Sequence, residues 1–202
     1  MKQIIEKSLK SAKSYQEYKE MVVRLLEEGK NTGAVQSESL LAYTKLNNQR
    51  MKRLDKKLTL TEATKNKAQN INRELTWLVL TEGWCGDAAQ SLPVINKLAE
   101  ASEHIDLKIV LRDENEELMD QFLTNGSRSI PKLVVLDKEK NEVLSSWGPR
   151  SYSPAKMIKD YKEEKGQLDA EIKKELQLWY NKNKGLEIEN ELLNLIDSSD
   201  RA

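Results

Sequence analysis

Hydrophobic residues recur at helical spacing through about the first 75 residues of the chain. The segment Ser14–Glu17 has the arrangement of a capping box, with a hydroxyl at the start and a glutamate three places on, so a helix is predicted to begin there. A second helix is predicted over about residues 39–58, and a weaker third helix begins near residue 61. The pattern therefore predicts an all-helical N-terminal segment.

The middle of the chain alternates short apolar runs, which are typical of buried strands, with helical patterns. Strands are predicted at residues 76–82, 105–113, 131–137 and 142–147, and helices at residues 87–104 and 114–125. Strands that are separated by helices usually pair in parallel, and the short connection between the last two strands favours an antiparallel hairpin. The sequence thus predicts an α/β fold with a mixed sheet and helices on both faces.

The C-terminal part of the chain is predicted to be helical. Ser153 and Pro154 are predicted to open one helix, which Gly166 interrupts, and a further amphipathic helix follows. The predicted divisions are a helical N-terminal extension over residues 1–73, a central domain over 74–165 and a helical C-terminal addition over 166–202. Because no linker rich in Gly, Pro or Ser separates these parts, we expect them to pack as one unit.

Composition excludes several classes of function. Lysine plus arginine and aspartate plus glutamate both number 33, so the whole chain exerts no large field on a polyanion and nucleic acid is not an expected partner. A single cysteine and a single histidine form neither an intramolecular disulfide nor a tetrahedral Cys/His metal site. The absence of a signal peptide or membrane span in the sequence predicts a cytoplasmic protein with a reduced thiol and no membrane partner.

The single cysteine lies in a recognisable constellation, between a predicted buried strand and a predicted helix. Its parts are Trp84-Cys85-Gly86, a proline eight residues later at Pro93, the step Ile130-Pro131 before a strand, and Gly148 after the last strand. Together with the order of the elements, this constellation resembles the thioredoxin family over about residues 74–165. The resemblance is closest to bacterial members that carry a helical N-terminal extension and W-C-G-D-A in place of W-C-G-P-C. It implies that Pro131 is a cis-proline that faces the cysteine.

The departures from the family pattern matter as much as the matches. Ala88 stands where the family has its second, resolving cysteine. The buried acid of the family aligns with Val79, and the lysine partner of that acid aligns with Ile109. A chain without these three groups is not expected to cycle as a dithiol reductase.

Cys85 is the predicted nucleophile. The start of a helix favours a thiolate, whereas the charges of Asp87 and Glu82 oppose it, so we expect the thiol pKa to be lowered, but less than in a typical thioredoxin. Trp84, Gly86, Asp87, Ile130 and Pro131 are predicted to shape the site. The basic second helix is either a solvated surface or docks beside the site, where Arg50 or Arg53 would pair with Glu82, with Asp87 or with an anionic ligand.

Three functional hypotheses remain open at this point. The first is a thiol-disulfide oxidoreductase of monothiol type, in which Cys85 forms a mixed disulfide with a protein or peptide and an external low-molecular-weight thiol releases it; no other cofactor is predicted. The second is a redox-inert thioredoxin-fold module that binds a peptide or partner protein in the cleft around Cys85 and Pro131. The third, a peroxide sensor or peroxidase, ranks lowest because no Thr-x-x-Cys arrangement is present.

Overall fold

The structure is a computed structural model that describes residues 1–199 of the chain, with side chains described for residues 1–195. A central sheet is flanked by helices, in agreement with the predicted α/β class. The strands are β1 (Leu75–Thr81), β2 (Ile105–Leu111), β3 (Lys132–Asp137) and β4 (Val143–Trp147). The helices are α1 (Lys2–Lys10), α2 (Tyr15–Glu27), α3 (Glu38–Lys57), α4 (Glu62–Gln69), α5 (Gly86–Glu100), α6 (Glu116–Met119), α7 (Tyr152–Lys165), α8 (Ala170–Asn183) and α9 (Leu186–Ser199).

Helices α2 and α3 begin at side-chain caps that their sequences contain. The Ser14 hydroxyl accepts the Glu17 N–H at 3.2 Å, and the Glu17 carboxylate accepts the Ser14 N–H at 2.7 Å, which confirms the predicted capping box of α2. In the same way, the Ser37 hydroxyl caps α3 by accepting the Leu40 N–H. Local sequence therefore fixes where both helices start.

The sheet has the strand order β2-β1-β3-β4. Strands β1 and β2 are parallel, and β3 and β4 form the predicted antiparallel hairpin. The prediction that β3 is also parallel is wrong, because β3 runs antiparallel to β1. The segment between β2 and β3 contains only a short 3-10 helix and the four-residue α6, in place of the long crossover helix of a βαβ unit.

Two helix boundaries differ from the predictions. The helix predicted over residues 114–125 is reduced to α6, and the chain then turns through Asn125 and Gly126, which both have positive φ and end any helical path. The N-cap of α7 is Ser151, so Ser153 and Pro154 lie inside the first turn, where a proline costs no hydrogen bond. Pro93 lies inside α5, and Gly166 ends α7 in a left-handed conformation, as expected.

Both terminal segments contribute to the central packing. Lys13 exchanges two backbone hydrogen bonds with Ile109, of 2.8 and 2.7 Å, and this bridge covers part of the free edge of β2. Ile5 from α1, Trp77 from β1 and Ile188 from α9 belong to the same cluster of buried hydrophobic side chains. The predicted boundaries at residues 73 and 165 stay predictions. Within residues 1–199, no helix has the length and apolar character that crossing a bilayer requires.

Candidate functional site

Cys85 lies at the point where the chain leaves the sheet and enters α5. It is the N-cap residue of that helix, and its Sγ accepts the N–H of Ala88 at 3.4 Å. The Cys85 N–H donates to the Glu82 carbonyl at 3.1 Å, which closes the turn between β1 and α5. The sulfur therefore sits at the beginning of the helix, but the residue as a whole is buried, with 8% of its surface exposed.

The segment before β3 lies directly against this sulfur. The Cys85 Sγ donates to the Ile130 carbonyl at 3.3 Å, and the Ile130-Pro131 peptide bond is cis. Gly148 packs behind this segment with φ +110, and a Cβ placed there would lie 2.3 Å from the Pro131 carbonyl oxygen. Only glycine permits this approach, so Gly148 helps to hold the Ile130-Pro131 backbone in place.

Asp87, two residues after the cysteine, is buried and contacts two polar side chains from other parts of the chain. One of its carboxylate oxygens forms an ion pair with Nη2 of Arg150, and the other accepts the Tyr180 hydroxyl proton at 3.0 Å. Arg150 follows β4 and Tyr180 belongs to α8, so the carboxylate ties two distant segments to the first turn of α5. A neighbouring hydrogen bond of 2.8 Å from Gln90 to Gln177 joins the same two helices.

These residues border an open cleft of about 730 Å³. Its apolar lining comes from Leu40, Tyr43, Trp84, Ile130, Pro149 and Leu176. Its cationic lining comes from Arg50, Arg112, Arg128, Arg150, Lys173 and Lys174. Cys85 and Gly86 also line the cleft, whereas Pro131 is buried and is not among the lining residues.

The comparisons with known proteins bear on the family. The family model described as thioredoxin matches residues 33–164, which is more than half of the chain. This chain belongs to the thioredoxin family. The matched region includes residues 33–73, which lie within the predicted N-terminal extension.

Two solved structures are similar to this thioredoxin-family chain. A protein of unknown function from Pseudomonas aeruginosa has a TM-score of 0.61 and 20% identity, over 78% of this chain and 90% of that protein. An HIV epitope scaffold has a TM-score of 0.56 and 20% identity, over 87% of this chain and 96% of the scaffold. At this level of identity the two likenesses support the thioredoxin fold alone. No curated protein matches the chain.

The electrostatics of Cys85 differ from the expectation for a thioredoxin-family cysteine. Burial and then the nearby Asp87 carboxylate raise the pKa of the thiol to about 12, and the N–H groups of Ala88 and Asp87 lower it by less. The prediction of a lowered thiol pKa is therefore wrong in direction. It accounted for the start of the helix but not for the desolvation that accompanies burial.

The predicted partners of Asp87 and Glu82 also need correction. Arg50 lines the cleft, where its Nη1 donates to Asn47 at 3.0 Å, whereas Arg53 donates to Asn181 and lines a separate groove. Neither arginine forms an ion pair with Asp87 or Glu82 in the described part of the chain. Glu82 is fully buried, its Oε1 accepts the Asp113 N–H at 3.0 Å, and burial raises its pKa.

Other residues near the site take simple structural positions. Trp84 is partly buried and carries the Arg112 guanidinium over its ring, 4.8 Å from the ring centroid. Val79 and Ile109 stand opposite each other in the parallel pair of strands, and both are fully buried. The acid and lysine that the family resemblance places at these positions are thus replaced by an apolar contact.

Sequence reasoning missed Tyr180, Lys173 and Lys174 and gave Arg150 no partner. The amphipathic pattern of α8 predicts one buried face but does not say which surface that face meets. The described residues hold no group of three or more His, Cys, Asp or Glu side chains that is placed to bind a metal ion.

Proposed function

We propose that this protein is a redox-inert thioredoxin-fold module, which binds a peptide segment of a partner protein in the cleft around Cys85 and Pro131. The observation that supports this best is the state of the sulfur: it is buried, and as a thiol it donates a hydrogen bond to the Ile130 carbonyl. A thiol that donates to a carbonyl must keep its proton. The same hydrogen bond also fixes the backbone of Ile130, which lines the cleft.

The acidity of the thiol argues against turnover. The thiolate is the nucleophile in disulfide exchange, so the rate follows the thiolate fraction. With the pKa of Cys85 raised to about 12, that fraction is on the order of one in ten thousand at about pH 8. A free cysteine with a pKa of about 8.5 has roughly a quarter of its thiol ionised at the same pH.

The cleft has the size and lining that a binding site requires. Its volume of about 730 Å³ falls within the range of roughly 300–1,000 Å³ that is usual for ligand sites. Apolar side chains such as Leu40 and Leu176 can receive hydrophobic anchors, and the surrounding arginines and lysines supply polar contacts. Such a combination suits a short segment of another chain.

The alkylation rate of Cys85 tests the proposal. Folded and urea-denatured protein are treated with iodoacetamide across the alkaline pH range, and Cys85→Ala gives the background because it removes the sole thiol. At about pH 8 we expect the folded protein to react on the order of a thousandfold more slowly than the denatured chain, with no inflection below about pH 10. A folded-state inflection near the value of free cysteine would contradict the proposal.

Monothiol exchange is the second candidate, because Cys85 forms part of the cleft lining at the start of α5. In that reaction the Cys85 thiolate attacks one sulfur of a disulfide, a mixed disulfide forms, and the other sulfur leaves as a thiolate. An external thiol then attacks the mixed disulfide and regenerates Cys85. Incubation with oxidised glutathione followed by intact-mass measurement separates the candidates: a rapidly formed glutathione adduct on folded protein favours monothiol exchange, and an unmodified mass favours the binding module.

A further inference from the structure

The cleft differs from the rest of the molecule in its charge. The whole chain has 33 basic and 33 acidic side chains, so a random surface of this protein is close to neutral. Six cationic side chains line the cleft, whereas Asp87 is the sole carboxylate among its described lining residues. Such an imbalance within one cleft produces a local positive potential, although the net charge of the whole chain is zero.

Part of this positive charge is neutralised by neighbouring carboxylates. Arg112 pairs with Asp113, Arg128 pairs with Glu116 and Asp120, and Arg150 pairs with Asp87.

Arg50, Lys173 and Lys174 are different. No carboxylate lies within ion-pair distance of them among the described side chains, which are those of residues 1–195. The charge that remains available to a ligand therefore comes from α3 and α8, the two helices that contribute these residues.

Arg50 is a partly desolvated cation without an acidic partner among the described side chains, so an anionic ligand would stabilise it. It is partly buried, and burial together with the nearby Arg53 lowers its pKa. A methyl group placed on Gly86 would lie 3.6 Å from Arg50 Nη1 and 3.8 Å from Gln177 Nε2, so both donors reach over the start of α5 beside Cys85. An incoming carboxylate would offset the desolvation of the guanidinium.

We infer that the cleft binds an acidic peptide segment in which glutamate or aspartate residues alternate with large apolar residues. This inference rests on the proposed function. The apolar positions would meet Leu40, Tyr43 and Leu176, and the carboxylates would meet Arg50 on one side and the two lysines on the other. Because Arg50 stands on α3 and the two lysines stand on α8, these cations suit carboxylates spaced along a chain better than one compact anion.

Fluorescence anisotropy of labelled peptides tests the inference. The probe is a short peptide that alternates glutamate with leucine and tryptophan, and the matched peptide has glutamine in place of every glutamate. We expect the acidic peptide to bind at least about tenfold more tightly, with an affinity that falls as salt rises. Arg50→Gln, Lys173→Gln and Lys174→Gln are each expected to weaken binding by about two- to fivefold, because each removes one charge that solvent can still reach.

Matched variants on the same helices provide the controls. Arg53 lies on α3 and Lys182 on α8, but neither lines the cleft, so Arg53→Gln and Lys182→Gln are expected to change the affinity by less than about twofold. Equal losses from the cleft and control variants would overturn the assignment of the peptide to this cleft. Equal binding of the acidic and glutamine peptides would overturn the acidic preference and leave the binding module intact.

Two further outcomes identify other ligands or other chemistry. Displacement of the peptide by inorganic phosphate or citrate at equal concentration, or tighter binding of a single-stranded oligonucleotide, would overturn the choice of an acidic peptide. A disulfide-linked adduct between Cys85 and a cystine-containing version of the peptide would instead overturn the redox-inert function, whatever the charge preference.

Discussion

Replacement of Asp87 by asparagine is expected to destabilise the protein because it leaves the partly buried positive charge of Arg150 without its carboxylate partner. The carboxylate is buried, with 9% of its side chain exposed, and it pairs with Arg150 while it accepts a hydrogen bond from Tyr180. Asparagine keeps the size of the side chain and one acceptor for the Tyr180 hydroxyl. It removes the charge that compensates a guanidinium whose Nε is buried without a hydrogen-bond partner in the described part of the chain.

The size of the effect follows from the burial of the pair. Removing one partner of a fully buried ion pair costs about 3–5 kcal/mol. The Arg150 side chain is 24% exposed, so water recovers part of that cost, and we expect a loss of about 2–3 kcal/mol. For a chain of this length, each kcal/mol lowers the Tm by about 2–4 °C, which gives a decrease of about 4–12 °C.

Thermal unfolding followed by circular dichroism measures this decrease, with Asp160→Asn as the matched control. Asp160 pairs with Lys156, but both side chains are more than half exposed, so its loss is expected to cost less than about 0.5 kcal/mol. If the stranded charge is the cause, adding Arg150→Met to Asp87→Asn should recover part of the lost stability. Equal Tm values for the Asp87 and Asp160 variants, or a further decrease on adding Arg150→Met, would refute this reasoning.

Two other substitutions test groups in the interior. Burial raises the pKa of Glu189, so the folded chain holds a proton that the unfolded chain loses above about pH 4.3, and wild-type stability falls as the pH rises beyond that value. Glu189→Gln removes this dependence, and its Tm advantage over wild type should grow between about pH 4 and about pH 8; a constant difference would contradict the assignment. Gly148→Ala should cost more than about 3 kcal/mol in urea unfolding because its Cβ would overlap the Pro131 carbonyl, whereas Gly126→Ala, with positive φ but nothing within 4 Å, should cost about 1–2 kcal/mol; similar costs would refute the contact argument.

The sequence was informative where local chemistry determines structure. The apolar run before Cys85 and the helical pattern after it fixed the strand-to-helix turn, because burial and capping act over a few residues. The expectation that Pro131 faces the cysteine depended on the family resemblance. The carbonyl of Ile130, the residue before that proline, lies 3.3 Å from the Cys85 Sγ. The orientation of β3 was not predictable in this way, since it depends on the path of a poorly periodic connection.

The rest of the site depends on how distant helices dock. Tyr180 lies 93 residues from Asp87, and nothing in the local pattern of either segment indicates that they meet. The same docking brings Lys173 and Lys174 to the cleft. The sequence therefore predicted a cysteine at the start of a helix but could not predict the burial that makes its thiol a weak acid.

Asp87 links the state of the thiol to the construction of the cleft. Its carboxylate raises the pKa of Cys85, and it also holds Tyr180, so the group that opposes a thiolate is the group that anchors α8. Removing the carboxylate would favour ionisation of Cys85 but would loosen the helix that brings Lys173 and Lys174 to the cleft. A reactive Cys85 thiolate would require the Asp87 carboxylate to be absent, whereas the docking of α8 beside the cleft requires it to be present. The observed contacts of Asp87 are those that dock α8. This opposition supports the proposal in which Cys85 forms part of the wall of a binding site.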